Sequence, residues 1–168
     1  MKANGRKPSA QDAKIIMSNS VDITNLAKFF GADLPEQLLK EINCDLRLEL
    51  SRIELYEDTV HTLQILKDKG FKIALCSNLA MPYGEQLIQL LPDFFDVVVF
   101  SYEVGAIKPE PQIYEVIQSY FGYEFSEMLF IGDHPILDVE TPLSLGMSAR
   151  LIERDKGQKL LGVIQELI

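Results

Sequence analysis

Three groups of polar residues follow apolar runs between residues 73 and 138, and their types suit a phosphate and metal site. They are Ser77-Asn78 after IALC, Lys108-Pro109 after VVVF, and Gly132-Asp133 with Asp138 after MLFI. A hydroxyl and backbone N–H groups can hold phosphate oxygens, a lysine can neutralise negative charge, and carboxylates can hold Mg²⁺. Together they predict a site that binds phosphate with Mg²⁺.

Each of these residues also has a purely structural interpretation. Ser77 can cap a helix, Lys108 can be a solvated loop lysine, and Asp133 can be an N-cap beside Pro135. Singly, these interpretations are as good as the functional ones. Polar signals after three separate strands favour one shared site.

Alternating helices and strands are predicted from about Leu55 to the end of the chain. The predicted order is helix 58–69, strand 72–76, helix 82–91, strand 96–100, helix 111–120, strand 128–131, helix 136–145, strand 149–152 and a closing helix up to 168. This order predicts right-handed crossovers and a parallel sheet covered on both faces, a three-layer α/β fold. Ligands bind such sheets at the carboxyl ends of the strands, where the three polar groups lie.

The first third of the chain is predicted to be helical, with helices ending at Met17 and covering 22–30 and 35–51. Ser9, three residues ahead of Asp12, predicts a capping box at the first helix. In the third helix, apolar residues recur at helical spacing: Leu38, Leu39, Ile42, Leu46, Leu50 and Ile53. We therefore expect a helical region over residues 1–52, without visible chemistry, and an α/β region over residues 53–168.

Composition excludes several classes of protein. The net charge of −9, spread along the chain, argues against nucleic acid binding, and no apolar run predicts a membrane span or signal peptide. Cys44 and Cys76 are far apart and are predicted to be core residues of a protein in a reducing cytoplasm. His61 is predicted to be a surface or boundary residue, and His134 to lie either in a solvated loop or within reach of substrate.

The stretches ALCSN, GAIKPEPQIY and FIGDHPILDVETPLSLGM closely resemble the second, third and fourth motifs of the haloacid dehalogenase (HAD) superfamily. Their order and spacing match too, and the resemblance covers about residues 53 to 152. It implies an α/β core of HAD-like, Rossmann-like type, with the helical first third as part of a cap.

The resemblance also implies a role for each candidate residue. Ser77 would bind the phosphoryl group, with Asn78 adding a contact, and Lys108 would stabilise the charge of nucleophile and phosphate. Asp133 would coordinate Mg²⁺, with Asp138 supporting it.

One family motif is missing, because the sequence contains no Asp-x-Asp anywhere. In the family, the first of these aspartates is the nucleophile and the second is the general acid and base. One alignment places KIIMSNSVDI on the missing strand, with Ser18 and Ser20 at the two positions, although the capping box favours a helix there. The preferred interpretation is that the chain begins inside the cap and lacks both nucleophile and strand.

In the family's sheet, the missing strand lies between the strand that ends at Cys76 and the strand that ends at Ile131. Its loss would leave two inner edges with unpaired backbone groups. Three repairs are open: the two strands pair directly, residues 1 to 20 fill the gap, or another chain supplies a strand. The last repair would favour homo-oligomers through the exposed edge.

Three hypotheses for function follow. The first is a HAD-like phosphohydrolase by descent, acting on a small phosphorylated metabolite with Mg²⁺ but inactive as this chain alone. The second is a non-catalytic binding or regulatory module that retains an anion pocket. The third is a truncated product of a longer hydrolase gene.

Overall fold

The computed structural model describes residues 7–168, in which four helices precede the first strand and helices separate the strands that follow. The α-helices are α1 (Ala10–Met17), α2 (Ile23–Phe29), α3 (Glu36–Leu50), α4 (Thr59–Asp68), α5 (Met81–Leu90), α6 (Ser101–Val104), α7 (Pro111–Phe121), α8 (Thr141–Ser144) and α9 (Leu160–Val163). The strands are β1 (Ala74–Ser77), β2 (Val97–Phe100), β3 (Leu129–Gly132) and β4 (Ser148–Leu151). Within this part of the chain, no helix combines the length and apolar character that crossing a membrane requires.

The chain divides into two units. The first contains the described part of Met1–Glu54 together with Asn78–Leu90 and Phe100–Ile107. The second contains Leu55–Ser77, Leu91–Val99 and Lys108–Ile168.

The strands form two separate pairs, β1 with β2 and β3 with β4. β3 and β4 run parallel, with Leu129 opposite Ser148 and Gly132 opposite Leu151. A parallel pair needs a crossover connection, and the segment that contains α8 provides it. This agrees with the alternation predicted from the sequence.

No strand of residues 7–168 joins the two pairs, because β1 pairs with β2 alone and β3 with β4 alone. Direct pairing of β1 with β3 is therefore not found. For the repair by residues 1 to 20, residues 7–20 contain α1 and no strand, and residues 1–6 lie outside the described residues. The third repair, a strand from another chain, stays a prediction.

The alignment of KIIMSNSVDI with a strand is wrong, since α1 runs to Met17 and Ser18 is its C-cap. The reason is the capping box, in which the Asp12 amide donates to Ser9 Oγ at 3.3 Å and the Ser9 amide to Asp12 Oδ2 at 2.9 Å. These two bonds satisfy N–H groups that a helix start otherwise leaves without partners. Ser18 and Ser20 are therefore not at the end of a strand.

In the first unit, α5 and α6 pack closely through Gly84 and Tyr102. A Cβ at Gly84 would lie 2.5 Å from the Tyr102 hydroxyl oxygen, so glycine permits this approach. α3 has no buried residue, and Cys44 is exposed, so the prediction of a core position for Cys44 is wrong. The apolar stripe of α3 contains half-buried positions, which the periodicity alone could not distinguish from buried ones.

Two predicted helices are interrupted. The segment predicted as helix 136–145 is a π-helix over Pro135–Glu140 followed by α8. Pro142 has no N–H to donate to the carbonyl four residues earlier, which breaks a regular α-helix there. The closing helix is broken too, into α9 and short 3₁₀ turns, and Gly157 ends the first turn in a left-handed conformation, with φ 76°.

Asp58 links the start of α4 to the last part of the second unit. Its Oδ1 lies 2.8 Å from Arg154 Nη1, and its Oδ2 accepts the Leu160 N–H. Burial alone would raise the pKa of Asp58, but the Leu160 amide and Arg154 together lower it below its ordinary 3.8. The ionised carboxylate therefore stabilises the folded chain.

We expect Asp58→Asn to lower the free energy of unfolding by about 2 kcal/mol at pH 7, because it replaces a carboxylate bonded to two donors. The folded-state pKa is depressed, so this contribution is present above the unfolded-state pKa and is lost as the pH falls through the folded-state pKa. Urea unfolding of both proteins at pH 7 and below pH 3.8 measures it. Asp68→Asn, at an exposed helix position, is the control. An equal loss at both pH values would contradict the linkage.

Candidate functional site

Lys108 and Asp138 form a buried ion pair in the second unit. Lys108 Nζ lies 2.6 Å from Asp138 Oδ1, and the side chains are 10% and 5% exposed. The same ammonium lies 3.4 Å from the backbone oxygen of Cys76. Cys76 directly precedes Ser77, the last residue of β1. The structure thus brings two of the predicted site residues into contact and places the lysine charge beside the backbone of Cys76, which precedes Ser77.

The charge of Lys108 is compensated in two further ways. Its Nζ lies 5.4 Å from the centroid of the Phe130 ring, within the range of a cation–π interaction. The Cys76 carbonyl adds a polar contact. A buried charge requires such partners, since removing it from water costs several kcal/mol.

Asp138 is bound on both carboxylate oxygens. Oδ1 accepts from Lys108, and Oδ2 accepts the His134 amide at 3.0 Å. The Asp138 amide in turn donates to the His134 carbonyl at 2.9 Å. Asp138 therefore fixes the turn that follows β3.

His134 closes the same turn from its other side. Its Nδ1 accepts the amides of Ile136 and Leu137 at 3.2 and 3.3 Å. The exposed imidazole therefore caps the π-helix that carries Asp138. Neither predicted role, as a solvated side chain or a substrate contact, included this cap. An N-cap position followed by Pro at the next residue is the sequence signal that could have indicated it.

Gly132 makes room for the Asp138 carboxylate. A Cβ at Gly132 would lie 2.4 Å from both Cγ and Oδ2 of Asp138, closer than any real side chain allows. The glycine of the GDxxxxD stretch therefore permits the carboxylate to reach back to the strand end.

Asp133 is exposed, unlike Asp138. It lines a cavity of about 470 Å³ in the second unit, a size suited to a small molecule. The other lining residues are Tyr56, Pro135, Leu151, Ile152, Glu153, Arg154 and Asp155. The guanidinium carbon of Arg154 lies 4.3 Å from the Tyr56 ring centroid, so these two residues form one wall of the cavity. Neither was predicted, because no motif contains them.

The residues suit Mg²⁺ only if other oxygens complete its coordination. The described residues contain no cluster of three or more His, Cys, Asp or Glu side chains that could hold a metal ion. Asp133 offers an accessible carboxylate, whereas both oxygens of Asp138 already accept hydrogen bonds. Mg²⁺ is commonly bound by one or two carboxylates with phosphate oxygens and water. This donor set fits that arrangement.

The Cys76 thiol cannot substitute for the missing nucleophile. Burial raises its pKa to about 12, although nearby Lys108 acts in the opposite direction. The thiolate is the nucleophilic form of cysteine. Because the pKa is raised so far, very little of this thiol is ionised at neutral pH. Ser77 and Asn78 are half-buried and directly follow Cys76 in the chain.

We expect Gly132→Ala to destabilise the protein by about 2 kcal/mol or more, because its Cβ displaces the Asp138 carboxylate and separates the buried pair. Gly162→Ala is the matched control, since a Cβ there meets no atom within 4 Å. Thermal unfolding of both variants checks this. Equal melting temperatures would show that the turn after β3 tolerates the Cβ.

Residues 10–146 match the haloacid dehalogenase-like hydrolase family. The glyceraldehyde 3-phosphate phosphatase of Methanopyrus kandleri is 29% identical over 157 residues, covering 83% of this chain and 67% of that protein. The HAD phosphatase of Thermococcus onnurineus has a TM-score of 0.65 at 31% identity, covering 92% of this chain and 66% of its own. The chain thus spans about two thirds of the length of both.

A HAD family enzyme of Bacteroides thetaiotaomicron, an Asp12Ala mutant in complex with magnesium and inorganic phosphate, shares the fold. Its TM-score is 0.63 at 18% identity, with 85% of this chain and 73% of that chain covered. These likenesses confirm the predicted HAD-like α/β fold class.

Proposed function

The chain belongs to the haloacid dehalogenase-like hydrolase family, and on that premise we propose that it is a phosphohydrolase by descent. Its substrate class is a small phosphorylated metabolite, bound with Mg²⁺. The observation that carries this proposal is the ammonium of Lys108, which is held beside the end of β1, where Ser77 follows Cys76. A fixed cation close to a strand end whose following residues offer a hydroxyl and backbone N–H groups suits a phosphate group.

The surroundings of each residue indicate its proposed role. Ser77 would contact phosphate oxygens, and Lys108 would neutralise their charge. Asp133, the accessible carboxylate, would hold Mg²⁺, while Asp138 would support the site by keeping Lys108 and the turn in place. Bound Mg²⁺ would supply electrostatic stabilisation of phosphate charge.

This chain alone is proposed not to hydrolyse phosphate esters. The sequence has no Asp-x-Asp, and the serines once aligned with it lie beyond α1. The second candidate function is therefore a binding or regulatory module that retains the anion pocket. The observation that favours it is the intact Lys108–Asp138 pair in a site whose only thiol neighbour, among the described residues, has a strongly raised pKa.

We expect the purified chain to bind inorganic phosphate in the presence of Mg²⁺ and to leave p-nitrophenyl phosphate intact. Asp133→Asn should weaken phosphate binding by at least about tenfold with Mg²⁺ present, because it removes the accessible ligand. Titration calorimetry and release of p-nitrophenol measure the two properties. Asp155→Asn, on the same cavity, should leave phosphate affinity unchanged.

Two results would contradict this proposal in different ways. Hydrolysis that is lost in Asp133→Asn would show that a nucleophile exists in this chain or in a neighbouring copy. Failure of the wild-type chain to bind phosphate with Mg²⁺ would overturn the site itself.

A further inference from the structure

We propose that Tyr114 is a positioning residue that fixes both members of the Lys108–Asp138 pair. This inference uses the proposed phosphate site as its setting. Tyr114 lies in α7 and is completely buried. Its hydroxyl contacts the turn that carries Asp138, and its ring contacts Phe130, which faces Lys108. These two contacts are called the hydroxyl arm and the ring arm.

The hydroxyl holds the turn that carries Asp138. Tyr114 Oη donates to the Leu137 carbonyl at 2.5 Å. Leu137 directly precedes Asp138, so the bond fixes the backbone from which the carboxylate projects. Because this carbonyl is partly buried, losing its donor would leave a polar group without compensation.

The ring holds the surface against which Lys108 lies. Tyr114 and Phe130 meet edge to face, with ring centroids 5.5 Å apart and an interplanar angle of 64°. Phe130 in turn presents its ring to Lys108 Nζ at 5.4 Å. The tyrosine ring therefore sets the orientation of the aromatic group that faces the ammonium.

Both contacts come from the single side chain of Tyr114. The hydroxyl acts on the turn of Asp138, and the ring acts through Phe130 on Lys108. α7 is a regular helix of 11 residues and contacts β1, whose end carries Ser77. A helix packed in this way holds Tyr114 at a fixed distance from both the Leu137 carbonyl and the Phe130 ring. Metal and anion sites depend on such supporting contacts, and removing one commonly costs 10- to 100-fold in affinity.

A purely structural role for Tyr114 makes a different prediction. If Tyr114 only filled space in the core, truncating its side chain would lower stability. Removing the hydroxyl alone would then have no specific effect on the turn, and removing the ring contact would have none on the lysine. Tyr114→Phe removes only the hydroxyl arm, and Phe130→Leu removes only the ring arm. Tyr102→Phe is the matched control, since Tyr102 is also buried but lies in the first unit.

The experiment measures backbone amide exchange by NMR on the full chain, together with phosphate affinity in the presence of Mg²⁺. In Tyr114→Phe, the His134 and Asp138 amides should exchange at least about tenfold faster, because both bond within the turn that loses its anchor. Phosphate affinity should fall at least about tenfold. In Phe130→Leu, affinity should fall while the two amides keep their wild-type rates.

Unchanged exchange of both amides in Tyr114→Phe would overturn the proposal, as would equal acceleration in Tyr102→Phe. If wild-type protein binds no phosphate, the proposed function fails, but the exchange rates still decide the role of Tyr114. The wild-type protein gives a second measurement should Tyr114→Phe fail to fold. Its Tyr114 hydroxyl proton must exchange slowly and couple to the Leu137 carbonyl, and a rapidly exchanging proton would overturn the assignment.

Discussion

The buried ion pair between Lys108 and Asp138 is the interaction on which the rest of the site depends. It joins the loop before α7 to the turn after β3, and through the Cys76 carbonyl it also reaches β1. Losing either partner would leave an uncompensated buried charge, which costs about 3–5 kcal/mol. The surrounding contacts are therefore arranged to satisfy both charges at once.

The neighbouring residues can be understood as requirements of that pair. Gly132 leaves space for the carboxylate, the His134 amide binds its second oxygen, and the Phe130 ring faces the ammonium. The π-helix turn is capped by His134 and anchored by the Tyr114 hydroxyl. π-helical turns occur often at functional sites, where they reorient a side chain that a regular helix would aim elsewhere. Here the turn directs Asp138 back toward β3 while Asp133 stays exposed.

The chain combines this buried ion pair and its turn with two separate two-stranded sheets, which no strand of residues 7–168 connects. Two-stranded sheets have little stability by themselves, so the burial of α7 residues and contacts such as Lys72 with Asp96 matter for these pairs. The structure keeps the buried Lys108–Asp138 pair, whereas the sequence lacks the Asp-x-Asp of the family's first motif.

The sequence alone determined the family, the fold class and the candidates Ser77, Asn78, Lys108, Asp133 and Asp138, because motif residues at strand ends follow local patterns. It also located most helices and strands to within one or two residues, as for α7 and β3. Periodicity could not show that α3 is unburied, since burial depends on neighbours distant in the chain. The interruption at Pro142, in contrast, follows from a residue type that the sequence shows. Only the tertiary structure decided that Asp138 is bound on both oxygens while Asp133 is exposed. It also decided that Tyr114 contacts both the turn of Asp138 and the Phe130 ring. Those distinctions depend on distances between segments 20 to 30 residues apart, such as the 30-residue separation of Lys108 from Asp138, and sequence spacing does not fix such distances.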